Sequence, residues 1–105
     1  MIVKIKLNID QYNILNKVLN LSYKIISEFN LKQININYDL LKNNIKLLKE
    51  KNMYFISGEV DDLLDLREVV SDYLVYCGFN KNYEPNEKGI ILENLIDILD
   101  INLND

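Results

Sequence analysis

Histidine and tryptophan are absent from this chain of 105 residues, and alanine and threonine are absent with them. Without histidine, the commonest general base and the commonest metal ligand are both missing. Ser22, Ser27, Ser57 and Ser71 therefore have no imidazole to activate them. Cysteine occurs once, as Cys77, which excludes an internal disulfide and a cysteine zinc cluster. Three glycines and one proline leave no Gly-rich phosphate loop and no linker to divide the chain. No apolar run approaches the ~20 residues that span a bilayer. From Met1 to Asn8, apolar positions alternate with Lys4 and Lys6, which is strand patterning rather than the apolar core of a signal peptide. These absences lead us to expect a cytoplasmic protein without catalytic activity, metal or cofactor.

What is present suits one folded domain. Apolar residues make up 49% of the chain, enough for a core at this length. Sixteen acidic and twelve basic residues give a net charge of −4. That mild figure hides a split. Residues 1–52 carry nine lysines against four acids, a balance of +5, whereas residues 53–105 carry three basic residues against twelve acids, a balance of −9. A split of this size describes surfaces and partners rather than fold, and it predicts a dipolar molecule. Asn and Ile are abundant, at 16 and 15 residues, as AT-rich codons would write.

Residues 2–8 read as a strand. Asn8 and Gln11 have capping-box spacing, so a helix is expected from there to about Phe29. Its apolar face would carry Leu15, Val18, Leu19, Ile25, Ile26 and Phe29. Gln33 to Tyr38 alternates and reads as a second strand. Two readings stay open for the segment after Asp39. One is a helix to about Glu50 with Lys42, Lys46 and Lys49 outward. The other is a hairpin of Ile45–Lys49 and Met53–Ser57, turning at residues 50–52. Gly58 is expected to end the Met53 strand. Residues 60–77 read as an amphipathic helix stopped by a left-handed Gly78. Asn86 is expected to cap a last helix to about Ile101. The whole is an α+β domain, a small sheet of two to three strands packed with about four helices.

The sharpest constellation lies on the 60–77 helix. Asp61, Asp65, Glu68 and Asp72 are spaced four, three and four apart, which puts them on one stripe opposite Leu63, Leu66, Val70, Leu74 and Cys77. Like charges at these spacings repel, at about 0.2–0.5 kcal/mol per pair, so the stripe does not help the isolated helix. Such a stripe is either a solvated face or a contact surface for a basic partner. Tyr76 and Tyr83 stand close by in sequence and are candidate aromatic anchors. Glu93, Asp97 and Asp100 repeat the spacing on the last helix. Arg67, the single arginine, is expected to bridge to another element, with Glu93 or Asp97 as candidates. The overall acidity argues against direct nucleic-acid binding.

Val60-Asp61-Asp62-Leu63-Leu64-Asp65-Leu66-Arg67, then Tyr73-Leu74-Val75-Tyr76-Cys77-Gly78-Phe79, then the loop from Asn82 to Gly89 and the run from Ile91 to Asp97 form a pattern. It resembles small acidic immunity proteins encoded beside polymorphic or contact-dependent toxins in bacteria. The resemblance covers at most about the last 45 residues and implies an inhibitor that binds one cognate toxin domain, often a nuclease. It assigns no contact residues, because partner contacts differ between such systems. The expected function is thus neutralisation of a toxin with a basic surface, through Asp61, Asp65, Glu68, Asp72, Tyr76 and Tyr83. The alternatives are a phage- or plasmid-encoded inhibitor of a nucleic-acid enzyme that mimics phosphates, and a structural component of a mobile element. The oligomeric state is not legible at this level.

Overall fold

A computed structural model describes residues 1–21 and 38–101 of the chain. In chain order they form β1 (Ile2–Leu7), α1 (Ile9–Val18), α2 (Tyr38–Asn44), β2 (Lys46–Glu50), β3 (Met53–Glu59), α3 (Val60–Cys77) and α4 (Glu87–Leu99). The sheet is antiparallel with order β1-β3-β2. Three strands and four helices among the described residues make this a small α+β domain, as the patterning implied.

The pleat decides what each side of the sheet does. Register places Val3 opposite Gly58, Ile5 opposite Ile56 and Leu7 opposite Tyr54, with Leu47 facing Ile56 from the other edge. These residues line the inner side. Ile56 is fully buried there, and Tyr54 meets Tyr12 of α1 with ring centroids 4.8 Å apart. The core continues through Leu15 and Val18 of α1, Leu63, Leu66 and Val70 of α3, and Leu92, Leu95 and Leu99 of α4. Burying a side chain of this size contributes about 1.5–3 kcal/mol relative to leaving it in water.

Several boundaries differ from the sequence reading, each for a local reason. Both bonds of the capping box form at the start of α1: Gln11 N–H donates to Asn8 Oδ1 at 2.8 Å and Asn8 N–H donates to Gln11 Oε1 at 2.9 Å. The helix then stops at Val18, short of Phe29. The Tyr38 hydroxyl donates to the Val18 carbonyl and accepts from the Leu21 N–H, so a side chain from α2 closes the C-terminal end of α1. Burial raises the pKa of that hydroxyl, with the Leu21 bond opposing. The expected positions of Ile25, Ile26 and Phe29, and the strand expected at Gln33 to Asn37, lie outside the described residues. Tyr38 itself begins α2.

The two readings of the middle segment each hold in part. A helix covers Tyr38–Asn44, and then the β2–β3 hairpin turns at Lys51 and Asn52. Lys51 adopts φ 58 there, a left-handed conformation unusual for lysine. Lys42, Lys46 and Lys49 are all exposed, but they do not form one helical stripe, because Lys42 is on α2 and the other two are on β2. Gly58 does not end its strand. It pairs with Val3, and β3 runs on to Glu59. A Cβ at Gly58 would stand 3.3 Å from Ile45 Cγ1, a tight contact, and 3.6 Å from Leu63 Cδ2 of α3, an ordinary one.

α3 spans Val60–Cys77 as expected, but Gly78 is not left-handed: its φ is −90 and its ψ −1. Glycine stands there because of a neighbour. A Cβ on Gly78 would lie 2.4 Å from Leu74 Cδ1 and 3.1 Å from Gly89 Cα, and one on Gly89 would lie 2.0 Å from the Gly78 oxygen. The helices α3 and α4 run side by side in opposite directions from this close approach. Asn86 joins them. Its Oδ1 accepts from Gly89 N–H at 2.8 Å, and its Nδ2 donates to the Cys77 carbonyl at 3.0 Å. α4 ends at Leu99, two residues before the expected Ile101.

Candidate functional site

The outward side of α3 carries the acids. Leu63, Leu66 and Val70 are fully buried on the side of the helix facing the core. On the other side Asp61 and Asp65 are exposed, while Glu68 and Asp72 are partly buried. The Asp72 Oδ2 atom is out of reach of solvent. Asp65 has a raised pKa. Partial desolvation is the leading cause even at this exposed position, and the negative charges of Asp62, Asp61 and Glu68 add to it. The chain therefore keeps a carboxylate where its neighbours disfavour the charge.

Arg67 does bridge between elements, but not to a carboxylate of α4. Its Nε donates to the Ile96 carbonyl at 3.0 Å, across the seam between α3 and α4. Its Nη1 lies 3.9 Å from Glu68 Oε1, the adjacent residue in sequence, a pairing that spacing arguments at three and four residues overlook. Backbone recognition replaces the expected Glu93 or Asp97 contact because the helices approach closely enough to bring the α4 main chain within reach. Glu93, Asp97 and Asp100 all remain exposed on α4.

The two candidate tyrosines part company. Tyr76 is 43% exposed and stacks on Tyr73, with centroids 6.3 Å apart and planes 22° from parallel. Tyr73 itself is buried, and Lys88 Nζ lies 5.7 Å from its ring centroid. Burial, with the Cys77 contact second, pushes the Tyr73 pKa up to about 12. Tyr83 is 89% exposed and has φ 62, on a loop tightened around Asn80. The Asn80 side chain accepts from Asn82 N–H at 2.9 Å and Glu84 N–H at 3.1 Å, while its backbone N–H donates to the Glu84 carbonyl at 2.8 Å. This loop holds Tyr83 out over a cleft of ≈ 540 Å³ lined by Val75, Phe79, Asn80 and Tyr83.

Val75 and Phe79 were not among the expected site residues. Val75 is 74% exposed. The signal for it is in the sequence: it follows Asp72 by three and Glu68 by seven, so it is an apolar residue on the charged face of the wheel. The same spacing makes the cleft continuous with the C-terminal end of the acid stripe. Four of the six expected residues thus share the α3 stripe, and Tyr83 belongs to the adjoining cleft.

This arrangement supplies negative charge beside an open apolar hollow, a combination suited to contact with another protein. Among the described residues no three Cys, Asp or Glu side chains come together to hold a metal ion. No described helix is long and apolar enough to cross a membrane. No protein-family model, curated protein or solved structure matches this chain.

Proposed function

We propose that this protein is a non-enzymatic inhibitor that neutralises a toxin domain, of the nuclease kind, by covering a basic surface with the outward side of α3. Asp61, Asp65, Glu68 and Asp72 provide the charge, and the hollow of Val75, Phe79 and Tyr83 receives an apolar side chain from the partner. The observation that carries this reading is the cleft at the end of the acid stripe. A stripe alone suits solvent equally well. An exposed phenylalanine and tyrosine gathered beside it, with Val75 between them and the stripe, favour contact with another protein. The resemblance to immunity proteins supplies the class of partner.

The charge and the cleft act on different steps. Complementary charge speeds encounter and sets specificity, whereas the buried apolar anchor governs dissociation. The test is calorimetry and stopped-flow binding to the protein encoded immediately upstream, at low and high salt. Replacing Asp65 and Glu68 by Lys is expected to lower affinity by about tenfold or more at low salt, mostly through slower association. Tyr83→Ser is expected to speed dissociation instead. Affinity left unchanged by the double reversal would remove the acidic-face mechanism.

A further inference from the structure

A second cleft, of ≈ 270 Å³, lies between α1 and the β2 edge of the sheet. Tyr12, Asn16 and Asn20 line it, spaced four apart along α1 and the turn that follows. Lys42 of α2 lines it as well, and the buried Leu19 and Ile45 give it an apolar floor. Small-molecule sites run from roughly 300 Å³ upward, so this cleft suits a small ligand with one end left in solvent.

Its polar groups are of three kinds. The first is an amide pair. Asn20 Nδ2 donates to the Asn16 carbonyl at 2.6 Å and to Asn16 Oδ1 at 3.2 Å. Those bonds use one end of each amide. Among the described residues Asn16 Nδ2 and Asn20 Oδ1 have no hydrogen-bond partner, so the pair keeps a donor and an acceptor to offer. The second is the ring of Tyr12. The third is positive charge. Lys42 is exposed and, among the described residues, in no ion pair. Lys49 is close by, on the inner side of β2, 5.7 Å from the centroid of the Tyr54 ring that packs on Tyr12. Among the described residues no acid lines the cleft. Glu50 alternates to the outer side of the sheet and pairs with Lys4, and Asp39, three residues before Lys42, is not part of the lining. All of these groups belong to residues 1–52, the half of the chain with a balance of +5.

A nucleoside monophosphate presents the matching set. Its phosphate suits a lysine, its planar base suits a tyrosine ring, and its base edge carries both donors and acceptors for the amides. We propose that this cleft binds a nucleoside monophosphate. The site shares no residue with the α3 stripe or the Tyr83 hollow, so it goes beyond the inhibitor reading and is tested without a toxin.

The test is calorimetry of the full chain with AMP and UMP, and with inorganic phosphate, adenosine and uridine as separate arms. At least one nucleotide is expected to bind and to move the side-chain amide signals of Asn16 and Asn20 in NMR spectra. Phosphate and the nucleosides are expected to bind about tenfold or more weakly than that nucleotide, since each lacks one part of the set. Lys42→Ala and Asn16→Ala change exposed side chains, and each, checked for native circular dichroism, is expected to weaken nucleotide binding by about tenfold. Lys81→Ala, on the loop between α3 and α4, is expected to leave it unchanged. Absence of binding by both nucleotides overturns the proposal. So does phosphate or a nucleoside that binds as tightly as its nucleotide, or a loss at Lys81 equal to that at Lys42, which would mean unspecific charge attraction. Binding that leaves the Asn16 and Asn20 amide signals in place overturns it as well.

Discussion

Gly78 and Gly89 meet main chain to main chain where α3 and α4 come closest. A helical glycine replaced by alanine usually gains up to about 1 kcal/mol from propensity. Gly89 reverses that sign, because the new methyl would enter the space of the Gly78 carbonyl, and a backbone atom cannot swing aside as a side chain does. Gly89→Ala is expected to destabilise by about 1–3 kcal/mol, read from the urea midpoint. Asp65 offers a second test at this scale. Between its ordinary pKa of 3.8 and its raised value in the fold, the native state holds more protons than the unfolded chain. Stability contributed by this group therefore falls as pH rises through that window. Asp65→Asn is expected to raise the urea midpoint at neutral pH, and the gain is expected to vanish below the ordinary value. A gain that persists at low pH would show that charge repulsion is not its source.

Among the elements, the α3–α4 pair is the best defined, and one side chain holds both of its near ends. Asn86 caps α4 through Gly89 N–H and satisfies the last turn of α3 through the Cys77 carbonyl. Asn8, at the head of α1, makes the cap bond but, among the described residues, binds no second helix. Asn8→Ala is expected to cost about 1 kcal/mol, the ordinary loss of a cap. Asn86→Ala is expected to cost distinctly more, because a second partner is stranded. Equal losses in chemical denaturation would mean that the Cys77 bond contributes nothing. Both caps were legible in the sequence, since Asn with Gln three residues on, and Asn ahead of an apolar run, are local signals. The end of α1 was not legible, because it is made by Tyr38, a side chain 20 residues away from the carbonyl it binds. The β2–β3 turn was only half legible, because it rests on a left-handed Lys51 rather than on Gly or Asn-Gly. The acid stripe could be read from spacing alone, whereas the outer face of the sheet could not. Which residues share that face depends on pairing β1 with β3, and no local pattern encodes that partnership.

For the whole molecule, the charge split along the chain is only partly a split in space, because Glu50 and Glu59 share the outer side of the sheet with the lysines. Lys4, Lys6 and Lys46 stand on the outer side of the sheet, and Asp61, Asp65 and Glu68 on the outward side of α3. The same arrangement separates early from late folding events. α3 and α4 are neighbours along the chain, while Ile2 must find Glu59. Loop closure over such a span is costly before its contacts form, so the helical pair is expected to lead. In stopped-flow refolding, Leu66→Ala and Leu95→Ala are expected to slow folding, whereas Ile5→Val acts mainly by speeding unfolding. The reverse pattern would place β1 in the nucleus.

The order β1-β3-β2 also has a meaning on the ribosome. β1 is translated before β3, its partner strand among the described residues, which arrives about fifty residues later. At about 5–20 residues per second the nascent strand waits roughly 3–10 s with Val3, Ile5 and Leu7 uncovered. Lys4 and Lys6, alternating with those three, are then what discourages pairing with the nascent chains of neighbouring ribosomes. The lysines on the outer side of β1 are thus expected to guard that strand against wrong pairing during synthesis.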